Sequence, residues 1–262
     1  MVKGLHPIEY NQPNHSSKSF GNALENSGIK KQSRVEYLYN TLFQYHSCSQ
    51  KDRSASFFMF SKIHRWLQFN FRYLGRPPWD TGISPPELCA FLASAKPGWA
   101  LDLGCGTGTN LLTMLEHGWS VSGVDIAWLS VLRARRKLHK AGYRDRVMQG
   151  NVSGNVLQNL RFDFVLDIGS YHSLNEVERG NYQNNLQRWL NPGGTYLLYA
   201  HRKNAPTDTH GITEKDLSDF STFLAMHWRE DDAEKRPDGR GGRPATWVRY
   251  DRLDQVMDDT PD

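Results

Sequence analysis

From about residue 99 onward, apolar residues fall into short runs separated by polar or amphipathic stretches. WALDLG (99–104), VSGVDI (121–126), RVMQGN (146–151), FDFVLDIG (162–169) and GTYLLYAH (194–201) read as strands. Between them, GTNLLTMLEHG (108–118) and AWLSVLRARRKLHKAG (127–142) read as helices. Strands alternating with helices predict a doubly wound α/β domain on a parallel sheet. Farther on, the pattern predicts a helix over 213–224, a strand over 223–229 and a closing strand TWVRYDRL (246–253). The charged, glycine-rich run from Glu230 to Arg243 reads as a surface loop.

Upstream, SFFMFSKIHRWLQFNFRYLG (56–75) repeats Phe60, Ile63, Leu67, Phe71 and Leu74 at helical spacing, while Lys62, Arg65 and Arg72 fall mostly off that stripe. This predicts an amphipathic helix whose apolar stripe packs on the main domain. GRPPWDTGISPPEL (75–88) must be a loop, and it ends at a helix start in which Ser84 caps, Pro85 and Pro86 fit the first turn and Glu87 completes S-x-x-E. Residues 1–55 are polar and mixed, with a loosely docked helix expected near Val35 to Gln44.

The length of 262 residues with 38% hydrophobic content allows one sizeable core plus an appendage. Three cysteines (Cys48, Cys89, Cys105) without C-x-x-C spacing argue for a reducing compartment and against a disulfide framework or a zinc site. The histidines show no metal-ligand spacing, so no metal is expected. The start lacks a secretory apolar core and no apolar run approaches about 18 residues, which predicts a cytoplasmic protein without membrane insertion. The net charge of +4 is mild. The run RARRKLHK suits the end of a solvated helix, and no RNA-binding signature accompanies it, so nucleic acid is not an expected partner.

Candidate chemistry begins at ALDLGCGTGTN (100–110), where Gly104, Gly106 and Gly108 turn the chain from strand to helix. The dinucleotide pattern G-x-G-x-x-G fails at Thr109, and no Lys or Arg lies between Leu101 and Leu115 to make a P-loop. The turn therefore suits a ligand without a polyphosphate. In open α/β sheets ligands lie beyond the carboxyl ends of the strands. Those ends deliver Gly104 to Gly108, then Asp125, then Asn151 and Val152, then Asp167, Gly169, Ser170 and His172. A carboxylate at Asp125 can accept both hydroxyls of a ribose. The N–H groups opening the helix after Gly106 can meet a carboxylate. Ribose plus amino-acid carboxylate describes S-adenosylmethionine.

At these residues the chain resembles the class I S-adenosylmethionine-dependent methyltransferases, motif by motif: ALDLGCGTGTN, VSGVDI, GNV, FDFVLDIGSYHSL and LNPGGTYLLYAH, over roughly residues 75–205. PPWDTGISPPEL is similar to the loop before the first motif in the thiopurine, thiol/halide and tellurite-resistance group, where an aromatic residue covers the cofactor. The resemblance implies a Rossmann-like seven-stranded sheet, mostly parallel with an antiparallel last strand, preceded by an N-terminal helical lid. It divides the chain into an extension (1–55), a helix and lid loop (56–85) and a methyltransferase domain (86–262). The implied cofactor residues are Trp79, Asp102, Gly104, Gly106, Thr107, Asp125, Ile126, Asn151, Val152 and Asp167. Asn151 stands where the family commonly has an acidic residue. Simpler roles stay open: Asp125 as a helix cap, Asp102 as a structural carboxylate, Trp79 as packing, Asp167 as a loop holder.

The implied acceptor is a small molecule, a thiol or other soft nucleophile ahead of a hydroxyl or amine. Asp167 and His172 are the candidate catalytic residues. His172 would be a general base for a hydroxyl or amine and a pocket residue for a soft anion. A monomer or weak homodimer is expected. The rival reading is a cofactor-binding regulatory or assembly protein that transfers nothing, or a methyltransferase of macromolecules.

Overall fold

A computed structural model describes residues 64–144, 146–205, 207–233 and 242–253. All lie in one compact unit, 58–262. The extension 1–55, its expected helix near Val35 to Gln44, and Phe60, Lys62 and Ile63 lie outside the described residues.

Seven strands form one sheet: β1 (Trp99–Leu103), β2 (Ser120–Asp125), β3 (Val147–Gln149), β4 (Phe162–Ile168), β5 (Leu190–His201), β6 (Leu224–Ala233) and β7 (Pro244–Arg252). Their order is β3-β2-β1-β4-β5-β7-β6. β1 to β5 pair in parallel, and β7 runs antiparallel between β5 and β6. The helices are α1 (64–72), α2 (Pro86–Ser94), α3 (Thr109–Glu116), α4 (Trp128–Lys140), α5 (Glu176–Trp189) and α6 (Glu214–Ser218).

Both faces of the sheet are covered, so β4 is apolar nearly throughout rather than alternating. Phe162 and Val165 point to one face with Tyr182, Leu186 and Trp189 of α5. Phe164 and Leu166 point to the other with Leu88 and Leu92 of α2, Leu111 and Met114 of α3, and Val131, Ala134 and Leu138 of α4. Each such fully buried side chain contributes about 1.5–3 kcal/mol. The register pairs Leu103 with Val124 on one side and with Asp167 on the other. The chain therefore leaves β1, β2 and β4 at one edge of the sheet, where strand order reverses about β1.

Four local expectations need correcting. First, Leu67, Phe71 and Leu74 of the expected docking stripe are 50, 65 and 67% exposed. α1 instead docks through Arg65, which forms a bidentate pair with Glu178 (3.0 and 2.6 Å), through Asn70 Oδ1, which accepts from Leu129 N (3.2 Å), and through the buried Tyr73 just beyond it. Second, Ser84 forms no capping box. Pro85 is the N-cap of α2, and the Ser84 hydroxyl meets Asn110 Oδ1 (2.9 Å) and Thr113 Oγ1 (2.8 Å) on α3. Third, Glu230 to Ala233 belong to β6, held by pairing with β7 and by Arg229, which bridges Glu214 and Asp231. Fourth, the helix expected over 213–224 is α6 followed by a 3-10 turn, Asp219–Thr222, and its capping box is Thr213 with Asp216.

Candidate active site

The turn after β1 is closed by its neighbour. Gly104 N and Cys105 N both donate to Val124 O (2.7 and 3.1 Å), and Gly106 N donates to Asp125 Oδ2 (2.9 Å). Gly104, Gly106 and Gly108 have φ of 80, 53 and 79°, a region that side chains with a Cβ rarely adopt. Space is equally restrictive at Gly104, where a Cβ would lie 1.9 Å from Ser170 Oγ, itself bonded to Leu103 O (2.9 Å).

Asp125 is buried, and its other oxygen accepts from Ala127 N (2.7 Å). Ala127 is the N-cap of α4, so Asp125 pins two turns together and is not the cap. Each carboxylate oxygen spends one of its two lone-pair sites this way. Burial raises the Asp125 pKa, opposed by the backbone donors Ala127 and Gly106 and by the nearby Ser130 hydroxyl, whose own bond goes to Ala127 O (2.7 Å). Asp102 is buried too, and its Oδ2 has no hydrogen-bond partner among the described residues. Burial first, then Asp167 and Asp125, push the Asp102 carboxyl well up. Thr107 Oγ1 donates to Asp80 Oδ1 of the lid loop (2.8 Å). Ile126 is half-buried and Val152 is buried. Asn151 Oδ1 accepts from Ser153 N and Oγ (3.0 and 2.9 Å), which leaves its amide N–H groups as donors.

Trp79 is 45% exposed, donates from Nε1 to Tyr73 Oη (3.2 Å), and has the Arg72 guanidinium 5.1 Å from its ring centre. Tyr73 carried no motif in the sequence, yet a Cβ on Gly106 would lie 3.2 Å from its hydroxyl. Tyr73 and Asp80 are thus the two residues by which the lid segment touches the glycine turn, and period alone does not mark either. Lys137 of α4 reaches the same place, bonding Thr109 Oγ1 (2.8 Å).

Asp167 is fully buried, and its carboxylate is occupied by protein donors: Ser170 N (2.7 Å), Tyr171 N (3.1 Å) and Tyr182 Oη (2.7 Å). Burial pushes it up to about 7, against those bonds. The loop it holds carries His172. His172 Nδ1 accepts from His201 N (3.2 Å), the two imidazole rings lie 4.5 Å apart, and His172 O accepts from Gly211 N (3.2 Å). Tyr199 lies with its ring centre 5.0 Å from that of Trp247, tilted at 46°. The ends of β4 and β5 therefore meet the start of β7 in an aromatic corner.

Burial, then His201, Arg179, His210 and Arg243, hold His172 down at about 3. Because this lies below the ordinary 6.5, the stability it confers is full above pH 6.5 and is lost as pH falls toward 3. The slope is about 1.4 kcal/mol per pH unit. Denaturant unfolding at pH 7 and pH 5 is expected to show wild type losing about 2 kcal/mol more than His172→Gln. Equal losses would mean that the imidazole titrates normally.

The buried acceptor atom of Asp102, the half-committed Asp125 carboxylate and the Cβ-free surfaces of Gly104 and Gly106 together fit a ligand with an ammonium group, ribose hydroxyls and a close approach to backbone. S-adenosylmethionine has these features.

The comparisons agree. A family model described as methyltransferase domain matches residues 100–194. The chain is similar to the 2-heptyl-1-hydroxyquinolin-4(1H)-one methyltransferase of Mycobacteroides abscessus, 28% identical over 60% of this chain and 70% of the relative. It is also similar to probable thiol methyltransferase 2 of Arabidopsis thaliana, 27% identical over 47% of this chain and 56% of the relative. The solved structure of N-methyltransferase NodS from Bradyrhizobium japonicum with S-adenosyl-L-homocysteine shares the fold, at TM-score 0.60 and 16% identity over 71% of this chain and 97% of that one. The protein is an S-adenosylmethionine-dependent methyltransferase. No helix among the described residues is long and apolar enough to cross a membrane.

Proposed function

We propose that the enzyme methylates a small-molecule acceptor, a thiol or other soft nucleophile ahead of a hydroxyl or amine, at the aromatic corner where β4 and β5 end. Bound S-adenosylmethionine supplies an electrophilic methyl group on a sulfonium. Asp125 receives the ribose hydroxyls, Asp102 the ammonium, and the backbone N–H of Thr107 the carboxylate. Ile126, Asn151 and Val152 line the adenine side, with Asn151 as an amide donor. Residues 64–85 act as the lid: Tyr73 and Trp79 cover the turn, and Asp80 fastens the loop to Thr107. Asp167 is a positioning residue that holds the loop bearing His172. The protein works in the cytoplasm as a monomer or weak homodimer.

The observation that carries this reading is the Asp125 carboxylate bound at once to the glycine turn and to the start of α4. That arrangement leaves acceptor sites on a rigid frame, and alignment with exclusion of water supplies most of the acceleration in a direct displacement. The soft-acceptor preference is supported by the PPWDTG loop and by the thiol methyltransferase relative. Incubation with methyl-labelled cofactor and a panel of thiols, halides, phenols, carboxylic acids, metalloid oxyanions and RNA tests it. Label is expected on thiols or another soft nucleophile. Label on RNA alone would establish the macromolecular alternative, and tight binding of S-adenosylhomocysteine with no transfer to any member would establish the regulatory one.

A further inference from the structure

The tautomer of His172 follows from its hydrogen bond. A neutral imidazole has one donor and one acceptor nitrogen. His172 Nδ1 faces the backbone N–H of His201 and so must be the acceptor, which leaves the proton on Nε2. A ring in that state has no lone pair left at Nε2 to take a proton from an acceptor. His201 N is a main-chain donor inside β5, so the tautomer is set by the sheet itself and not by a neighbour that titrates.

The surroundings favour an anion. The neighbours that hold down the His172 imidazole are basic, His201 of β5, Arg179 of α5, His210 of the loop after it and Arg243 before β7, and of these Arg179 is itself paired with Asp216 (2.8 Å). The Asp167 carboxylate at the end of β4 is turned inward and filled by Ser170, Tyr171 and Tyr182. The main chain of His172 is held by Gly211 N, and its ring by the bond from His201 N to Nδ1.

We infer that His172 is a hydrogen-bond donor, through Nε2–H, to an acceptor atom that reaches the site already ionised, and that the enzyme's acceptors are therefore weak acids that ionise near or below neutral pH. This rests on the methyl-transfer reading above and narrows its substrate class. An ionised acceptor forms its bond to the methyl carbon with its own lone pair. The carbon–sulfur bond of the cofactor breaks with its electron pair going to sulfur, and no proton remains to be removed. A neutral alcohol would have to lose its hydroxyl proton as it attacks, and the protonated Nε2 of His172 cannot accept it.

The test uses full-length enzyme with thiols graded in acidity from a nitrothiophenol to an alkanethiol, and with an alkylamine and an alcohol of matched shape. The pH profile of kcat/KM for each thiol is expected to rise with that thiol's own ionisation, and the alcohol is expected to be inert. His172→Leu is expected to raise KM for the acidic thiol about tenfold or more with kcat nearly retained, as loss of a binding hydrogen bond requires. His172→Gln keeps an N–H donor and is expected to recover most of that loss. Nitrogen-15 shifts of His172 are expected to report an Nε2–H tautomer from pH 5 to 8. An enzyme-borne ascending limb common to all acceptors, with His172→Gln as impaired as His172→Leu, would overturn the inference in favour of a base. Transfer to the amine but not the thiol would also overturn it, and so would binding of S-adenosylhomocysteine with no thiol methylated. Failure to bind S-adenosylhomocysteine at all would instead bring down the underlying reading.

Discussion

Asp125→Ala is expected to weaken S-adenosylhomocysteine binding by about 3 kcal/mol, more than a hundredfold, and to lower kcat/KM by a similar factor. Two effects add. The ribose would lose charge-assisted hydrogen bonds, each with a value of about 1.5–3 kcal/mol. The glycine turn would also lose the acceptor that holds Gly106 N–H at 2.9 Å, while the start of α4 loses its bond from Ala127 N at 2.7 Å. Asp125→Asn separates the two: one amide oxygen can keep a single backbone bond but cannot serve both turns and a ribose. It is expected to retain more folding stability than Asp125→Ala while still losing most of the cofactor affinity. Calorimetry of both variants, with denaturant unfolding alongside, checks this. Full affinity in Asp125→Ala would reduce the residue to a turn pin.

Gly104→Ala is expected to destabilise the fold by about 3 kcal/mol and to abolish measurable transfer. A left-handed φ costs a Cβ-bearing residue about 1–2 kcal/mol. The added carbon would also meet Ser170 Oγ at 1.9 Å. Ser170 can rotate away only by giving up its bond to Leu103 O, roughly another 1 kcal/mol. The movement would then pass into the loop that presents His172. Gly142→Ala is the control, because Gly142 has φ +83° but nothing within 4 Å of a new Cβ, so only the backbone term of about 1 kcal/mol applies there. If the two substitutions shift the unfolding midpoint equally, the contact with Ser170 has no energetic consequence.

These sites were legible to different degrees for physical reasons. The five parallel strands could be read because a strand buried on both faces must be apolar nearly throughout, as FDFVLDI is. The glycine turn could be read because left-handed backbone and close approach leave no alternative to glycine at Gly104 and Gly106. α5 was harder. It buries Glu178, Tyr182, Asn185, Leu186 and Trp189, and two of these are polar, so its inner face carries little hydrophobic contrast. Glu178 is buried because it closes a capping box with Asn175, three residues before it, and binds Arg65, a partner that comes from the fold rather than from spacing.

The chain by itself therefore determined the α/β alternation and the carboxyl-edge position of the glycine turn, because backbone geometry and burial act through near neighbours in sequence. Tertiary structure decided which face of α1 docks: the polar Arg65 and Asn70 find partners 113 and 59 residues away, while Leu67 and Phe71 stay outside. It also brought Tyr73 over Gly106, and it turned Asp167 inward to Tyr182. Above all it set the proton on His172, because a tautomer depends on which group faces each ring nitrogen, and the group that faces Nδ1 is a main-chain N–H supplied by another strand.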